Sequence, residues 1–113
     1  MRILFKILKA SEWADAVKSG VYGGSAVDHR DGFIHLSSAA QAPETAARHF
    51  AGQDGLVLAA FPEDRLANLK WEPSRGGALF PHVHGLIPVT SALWVRPLPL
   101  VDGLHRFPDE AGV

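Results

Sequence analysis

Cysteine is absent from this 113-residue sequence, which excludes disulfides, thiolate metal sites and thiol catalysis. A charge excess is also missing, because 11 basic and 12 acidic residues give a formal net charge of −1. Lysine and arginine are spread singly, without the basic patch that nucleic acid or an anionic membrane surface requires. Long apolar runs are lacking as well, since Lys6 and Lys9 interrupt the N-terminal stretch. We therefore expect a cytoplasmic protein that binds neither nucleic acid nor membranes.

The length and composition are those of one globular domain. A chain of this size buries roughly two-thirds of its unfolded surface, enough to fold without covalent staples. Hydrophobic residues make up 47% and charged residues 20% of the sequence, a balance that disfavours disorder. We expect a single domain over residues 1–113, and we expect it to be a monomer.

Hydrophobic periodicity predicts strands and helices in the order β-α-β-α-β-β-β, over residues 2–9, 11–20, 32–37, 38–52, 56–61, 69–72 and about 92–98. Ser11 is the expected N-cap of the first helix, and Ser38 with Gln41 has capping-box spacing for the second. Residues 21–31 are rich in turn formers and carry no predicted element. Because the helices come early and the strands late, the pattern favours an α+β fold over a doubly wound parallel sheet.

His35 and Ser37 share one face of the predicted second strand, because alternate residues of a strand point the same way. The pair is either exposed to solvent or lines a cleft. No nucleophile-elbow pattern G-x-S-x-G is present, so the sequence disfavours a serine hydrolase.

Glu72 and Arg75 flank a turn that leads into Gly76–Gly77. Glu72 points away from the apolar face of its predicted strand. An arginine beside two glycines suits a phosphate or carboxylate, because its guanidinium offers paired donors and the glycine backbone allows close approach. The alternative is a surface ion pair between Glu72 and Arg75 that anchors the loop.

His82 and His84 are separated by one residue, so in an extended chain both imidazoles project to one face. Metal ligands on strands have this spacing. A third ligand is missing nearby, and only His35 or Glu72 could supply one from elsewhere in the sequence. We therefore predict no metal site, with a histidine-based metal protein as an alternative.

Two long motifs, GFIHLSSAAQ (residues 32–41) followed by TAARHF, and WEPSRGGALFPHVHG (residues 71–85), resemble a bacterial family known as domain of unknown function 952. The likeness runs from the first strand to about residue 99. His84 departs from the family pattern, which usually carries tyrosine there.

The resemblance implies an ADP-ribosyltransferase-like fold, a split antiparallel sheet whose cleft holds NAD. On such a fold Lys6 stands where a His or Arg contacts the adenosine ribose. Ser37 and Ser38 end the strand that packs on the nicotinamide. His82 stands near the position of the catalytic glutamate, whose negative charge an imidazole does not reproduce.

We therefore predict a domain that binds NAD, ADP-ribose or another small phosphorylated nucleotide. If the protein is an enzyme, the expected chemistry is transferase-like, with Glu72 as anionic stabiliser or general base and His82 or His35 handling protons. The expected ligand-binding residues are Lys6, Ser37, Ser38, Arg75 and His84. The alternative from another class is a binding or regulatory domain that has the fold without the chemistry.

Overall fold

The computed structural model describes residues 2–113, except for the side chain of Arg75. The elements run in the order β1 (Ile3–Lys9), α1 (Ala10–Ser19), β2 (Val21–Tyr22), α2 (Ala26–Asp31), β3 (Ile34–His35), β4 (Ser37–Ser38), α3 (Ala42–His49), β5 (Leu56–Pro62), β6 (Leu69–Pro73), β7 (Leu79–Val83), β8 (Ile87–Pro88), β9 (Trp94–Leu98), β10 (Leu100–Val101) and β11 (Leu104–His105). None of the helices in this part of the chain has the length and apolar character needed to cross a membrane.

Two antiparallel sheets form the framework. A four-stranded sheet has the order β4-β1-β5-β9, and a three-stranded sheet has the order β3-β7-β6. Two small ribbons pair β2 with β8 and β10 with β11. The predicted α+β class is confirmed, and every strand pairing within the described residues is antiparallel.

The central strands β1 and β5 are buried on both faces, as the apolar alternation of residues 2–9 predicted. Leu4 and Leu8 belong to the core cluster on one side of the sheet, whereas Phe5 and Ile7 belong to a second cluster on the other. Side chains of a strand alternate between faces, so a strand between two apolar layers needs apolar residues at successive positions.

The segment predicted as one strand over residues 32–37 serves both sheets. His35 is paired with His82 of β7, whereas Ser37 is paired with Phe5 of β1. Between them, the amide of Leu36 donates to the carbonyl of Pro81, with 2.9 Å between N and O. The prediction of an uninterrupted strand was therefore wrong, because the chain passes from one sheet to the other at a buried leucine.

Residues 21–31, which we read as turns, contain the missed strand β2 and the missed helix α2. The amide of Ser25 donates to Oδ2 of Asp28 at 2.8 Å, and this bond fixes the start of α2. Gly32 ends the helix with a φ of 87°, a left-handed conformation that glycine adopts without steric cost. A small correction applies to α1, which begins at Ala10, one residue before the expected cap Ser11.

Candidate functional site

A cleft of about 520 Å³ lies beside the segment that joins the two sheets. Its walls come from β1, α2, the β3–β4 segment, α3 and the β6–β7 hairpin. Its polar lining includes Lys6, His35, Ser37, Thr45 and His82. His35 and Ser37 therefore line one cleft although they belong to different sheets, together with His82 from a distant part of the sequence.

A group of aromatic and imidazole rings covers one face of the three-stranded sheet. The ring of Phe33 stacks on that of His82 with centroids 4.1 Å apart, and it contacts the rings of His35 and His84 at 4.7 Å and 5.3 Å. The opposite face of the same strands, which includes Ile34 and Val83, packs into the apolar core. This is the alternation of a strand with one apolar and one polar face.

Asp28 is the hub of the polar network beneath the cleft. Its carboxylate accepts bonds from the Lys6 ammonium at 3.0 and 2.8 Å, and from the backbone amides of Ser25 at 2.8 Å and His35 at 3.0 Å. It also accepts from the Tyr22 hydroxyl at 3.3 Å. Burial by itself raises the pKa of Asp28, but hydrogen bonds from His35 and the charge of Lys6 hold that pKa well below its ordinary value. Asp28 is therefore an anion at neutral pH.

Lys6 lines the cleft, but its ammonium is already committed. Besides Asp28, its Nζ donates to the carbonyl oxygen of His35 at 3.0 Å. An ammonium has three donors, and these contacts use them. Burial lowers the pKa of Lys6, with the Asp28 charge opposing the shift. The expected contact between Lys6 and a ligand stays a prediction. The observed hydrogen bonds of Lys6 hold Asp28 and strand β3 in place.

Both ring nitrogens of His35 face carboxylates. Nδ1 lies 2.6 Å from Oδ1 of Asp28, and Nε2 lies 2.9 Å from Oδ2 of Asp31. Hydrogen bonds from Arg30 and His35 hold the pKa of Asp31 below its ordinary value. His35 is therefore fixed in the cleft wall with neither nitrogen turned to a ligand.

Glu72 joins the two remaining histidines. Its Oε1 accepts from Nδ1 of His82 at 2.9 Å and from Nε2 of His84 at 2.7 Å. These bonds, the His84 bond first, hold the pKa of Glu72 below its ordinary value. Glu72 is not among the residues that line the cleft, and neither is His84. Glu72 therefore reaches the cleft only through His82.

His82 differs from His35 in having one ring nitrogen that faces no carboxylate. Its side chain is 4% exposed, and its Nε2 has no hydrogen-bond partner among the described residues. Burial lowers the pKa of His82, against the opposing effect of the Glu72 hydrogen bond, so the ring is neutral at pH 7. Because the Glu72 carboxylate can only accept, the single proton of the ring lies on Nδ1 and Nε2 carries a lone pair.

The two serines play different parts. The hydroxyl of Ser37 lies 2.9 Å from that of Thr45, and both residues line the cleft. The backbone amide of Ser38 donates to the Gln41 side chain at 3.1 Å, and its hydroxyl accepts from the Gln41 amide at 3.2 Å. This reciprocal pair has the predicted capping-box geometry, although α3 begins one residue after Gln41. Ser38 does not line the cleft.

The side chain of Arg75 lies outside the described residues, so its expected roles stay predictions. Its backbone belongs to a short 3-10 turn, Arg75–Gly77, that follows the cleft-lining residue Ser74. Gly76 and Gly77 in this turn have φ values of 70° and 78°. Other residues adopt this backbone only at a cost, so conformation already explains the two glycines, and the expected close approach to a ligand stays a prediction.

Metal-ligand geometry is the remaining question about the histidines. Within residues 2–113, no group of three His, Asp or Glu side chains is arranged to hold a metal ion. His82 and His84 do project to one face, but they converge on a carboxylate oxygen rather than on a shared point open to a cation.

Sequence reasoning missed Asp28, Asp31 and Phe33 as members of the site. The spacing of Ser25 and Asp28 is that of a helix start, and this signal would have placed α2 and drawn attention to its acidic residues. Alternation along an extended chain puts Phe33 on the same face as His35, but its contact with the rings of His82 and His84 depends on the pairing of β3 with β7.

The comparisons with known proteins agree with this architecture. The profile of the family described as Protein of unknown function (DUF952) matches residues 7–95. A crystal structure of protein CC0527 from Caulobacter crescentus is 45% identical and has a TM-score of 0.91, with 98% of this chain and 99% of that chain covered. The solution NMR structure of CC0527 is 46% identical, covers 97% of both chains and has a TM-score of 0.83.

The comparison with curated proteins gave no match. The family resemblance drawn from the two sequence motifs is confirmed, and the matched range contains both of them. This chain therefore belongs to the DUF952 family, a family of proteins of unknown function.

Proposed function

We propose that the cleft is a binding site for a small ligand, and that NAD, ADP-ribose or another phosphorylated nucleotide is its first candidate. The observation that carries the proposal is the buried Nε2 of His82, which has no hydrogen-bond partner among the described residues, in the wall of a cleft of about 520 Å³. Ligand sites commonly have volumes of about 300–1,000 Å³ and combine apolar walls with a few fixed polar groups. An unpaired buried acceptor costs free energy, and a ligand donor relieves that cost.

The nucleotide class is supported by the lining and by the family resemblance. Phe5, Ile7, Phe50 and Phe80 give the cleft apolar walls that suit a planar ring. The resemblance to ADP-ribosyltransferase-like folds suggests NAD as the compound to test first. The Gly-flanked position of Arg75, beside the cleft residue Ser74, is our predicted phosphate contact.

Binding is better supported than transferase chemistry. A glutamate that stabilises an oxocarbenium-like transition state must face the reacting sugar. Glu72 does not line the cleft, and its Oε1 accepts bonds from His82 and His84. If the protein is an enzyme, His82 is the group that meets the substrate and takes a proton, with Glu72 as its positioning residue. The rival is a binding domain without chemistry.

A thermal-shift screen with NAD and ADP-ribose, followed by calorimetry, tests the proposal. A ligand at a hundred times its dissociation constant adds about 2.7 kcal/mol of stability. Thr45→Trp should fill the cleft and abolish the shift, because Thr45 lines it. Ala47→Trp, on the exposed side of the same helix, is the matched control and should bind normally. Absence of any shift, or equal binding by both variants, would refute the proposal.

The predicted phosphate contact has its own test. Arg75→Ala should weaken an anionic ligand by roughly 1.5–3 kcal/mol through the loss of charge-assisted hydrogen bonds. Glu72→Ala should spare that binding and abolish any turnover. Small, equal losses of affinity in both variants would instead favour the loop-anchoring ion pair.

A further inference from the structure

The environment of His82 specifies what kind of ligand group can approach it. The ring is held on three sides: Glu72 accepts from Nδ1, Phe33 stacks on the ring face with centroids 4.1 Å apart, and the His35 ring meets it edge-on at 5.4 Å. His82 lines the cleft and Glu72 does not. Nε2 lies across the ring from the nitrogen bonded to Glu72, so it is the ring nitrogen left to meet a group in the cleft.

The groups around His82 leave few donors for a negatively charged ligand. The Lys6 ammonium donates to Asp28 and to the His35 carbonyl, and both nitrogens of His35 face carboxylates. The carboxylates of this wall are paired with cations, Asp28 with Lys6 and Asp31 with Arg30. The local obstacle to an anion is therefore Nε2 itself, where it would meet a lone pair rather than an N–H.

We propose that the ligand group at the inner wall of the cleft is an uncharged hydrogen-bond donor, a hydroxyl or an amide N–H, that donates to Nε2 of His82. The inference rests on the proposed function, since it concerns the same cleft. For a nucleotide, this places the nucleoside, which carries the hydroxyl and amino donors, at the inner wall of the cleft. The phosphate groups stay outside the reach of His82. Because Nε2 is buried, the neighbouring side chains must move slightly to admit the donor.

Nitrogen-15 NMR of the histidine side chains reads this contact directly. In the free protein at pH 8, Nε2 of His82 should show the resonance of an unprotonated nitrogen and Nδ1 that of an N–H. The probes are adenosine, NAD and inorganic pyrophosphate. Adenosine and NAD should shift the Nε2 resonance, because it then accepts a hydrogen bond, and pyrophosphate should leave it unchanged. A protonated Nε2 in the free protein, or a pyrophosphate-induced shift, overturns the inference.

Two variants separate binding from structure. His82→Phe keeps the ring stacked on Phe33 but removes the acceptor, and it should weaken adenosine binding about two- to tenfold. His105→Phe is the matched control, because it makes the same change at a histidine that neither lines the cleft nor contacts Glu72. Its affinity should change less than about twofold. Equal affinities for adenosine in wild type and His82→Phe overturn the inference.

Thermal stability is a second measurement, because a variant can also bind poorly when the substitution disturbs its fold. His82→Phe removes a buried nitrogen that no described residue pairs with, and it leaves Glu72 bonded to His84, so its melting temperature should match or exceed that of wild type. A binding loss without a stability loss identifies a ligand contact. A large drop in melting temperature marks His82 as a structural residue and overturns the inference.

The outcomes also distinguish this inference from the proposed function. If adenosine shifts Nε2 of His82 while NAD and ADP-ribose do not bind, the phosphorylated-nucleotide proposal fails and this inference stands. If NAD binds without moving that resonance, the inference fails and the proposed function stands. If none of the probes binds, both are refuted.

Discussion

Replacing Asp28 by Asn should destabilise the protein more than any other single change in the polar network. The substitution keeps the shape of the side chain but removes its negative charge. In the variant, an amide nitrogen faces groups that donate to the carboxylate in wild type. Lys6 is 5% exposed, and it would lose its charged partner and keep the hydrogen bond to the His35 carbonyl. Breaking a buried ion pair from one side costs roughly 3–5 kcal/mol. That is a third or more of the total stability of many domains.

The opposite change, Lys6→Met, should cost less, because the two partners depend on each other unequally. Without Lys6, Asp28 keeps the donors of the Ser25 amide, the His35 amide and ring, and the Tyr22 hydroxyl. The loss is then that of a hydrogen bond to a charged group, roughly 1.5–3 kcal/mol. In the double variant the damage should be smaller than the sum of the two, because no unpaired ammonium is left.

Urea unfolding at pH 7, followed by tryptophan fluorescence, measures all three variants against wild type. The order of stability should be wild type, then Lys6→Met, then Asp28→Asn. If Asp28→Asn costs under about 1 kcal/mol, Lys6 finds water and the pair is not buried in solution. If Lys6→Met is the more damaging change, the reasoning from unequal hydrogen bonding is wrong.

Two further predictions concern pH and backbone geometry. Burial lowers the pKa of His82 in the folded state, so its contribution to stability is fully present above the unfolded pKa of about 6.5 and is lost as pH falls through the folded value. Chemical denaturation between pH 7 and 5 should therefore show a shallower decline in His82→Phe than in wild type, and parallel declines would contradict the shift. Gly24→Ala should cost about 1 kcal/mol or more beyond Gly20→Ala in a thermal melt, because both glycines have positive φ but only at Gly24 would the new Cβ lie 2.9 Å from the Cβ of Asp28. Equal costs for the two would show that the backbone near Asp28 relaxes freely.

The parts of the fold that were predicted correctly are those whose sequence pattern depends on one element alone. Strand β1 alternates between two apolar layers, and β5 is a continuous apolar run of strand length. Gly20 ends α1 in a left-handed conformation, as a glycine at the end of a helical pattern indicates. None of these features needs a distant partner to be read.

The missed features depend on distant contacts. Helix α2 has six residues, too few for propensity or periodicity to specify it. Its acidic residue Asp28 is buried because Lys6, 22 positions earlier, lies beneath it. Likewise, the predicted strand is divided at Leu36 because Leu36 bonds to Pro81 of one sheet while Ser37 pairs with Phe5 of the other. No local sequence pattern shows this division.

For the candidate site, the sequence predicted which residues share a strand face but not what each side chain contacts. Period-two reasoning put His35 with Ser37, and His82 with His84, on common faces. It could not show that His35 is paired with His82 across two strands, because that register depends on the fold. Nor could it show that Glu72 serves the histidines rather than the cleft.

His35 and His82 illustrate why residue type alone does not assign chemistry. They are cross-strand neighbours with ring centroids 5.4 Å apart, and both line the cleft. His35 has a carboxylate at each ring nitrogen, so neither nitrogen is free to bind a ligand. His82 has a carboxylate at one nitrogen and nothing among the described residues at the other. The position of one more acidic side chain therefore decides which histidine supports the cleft wall and which can receive a proton within it.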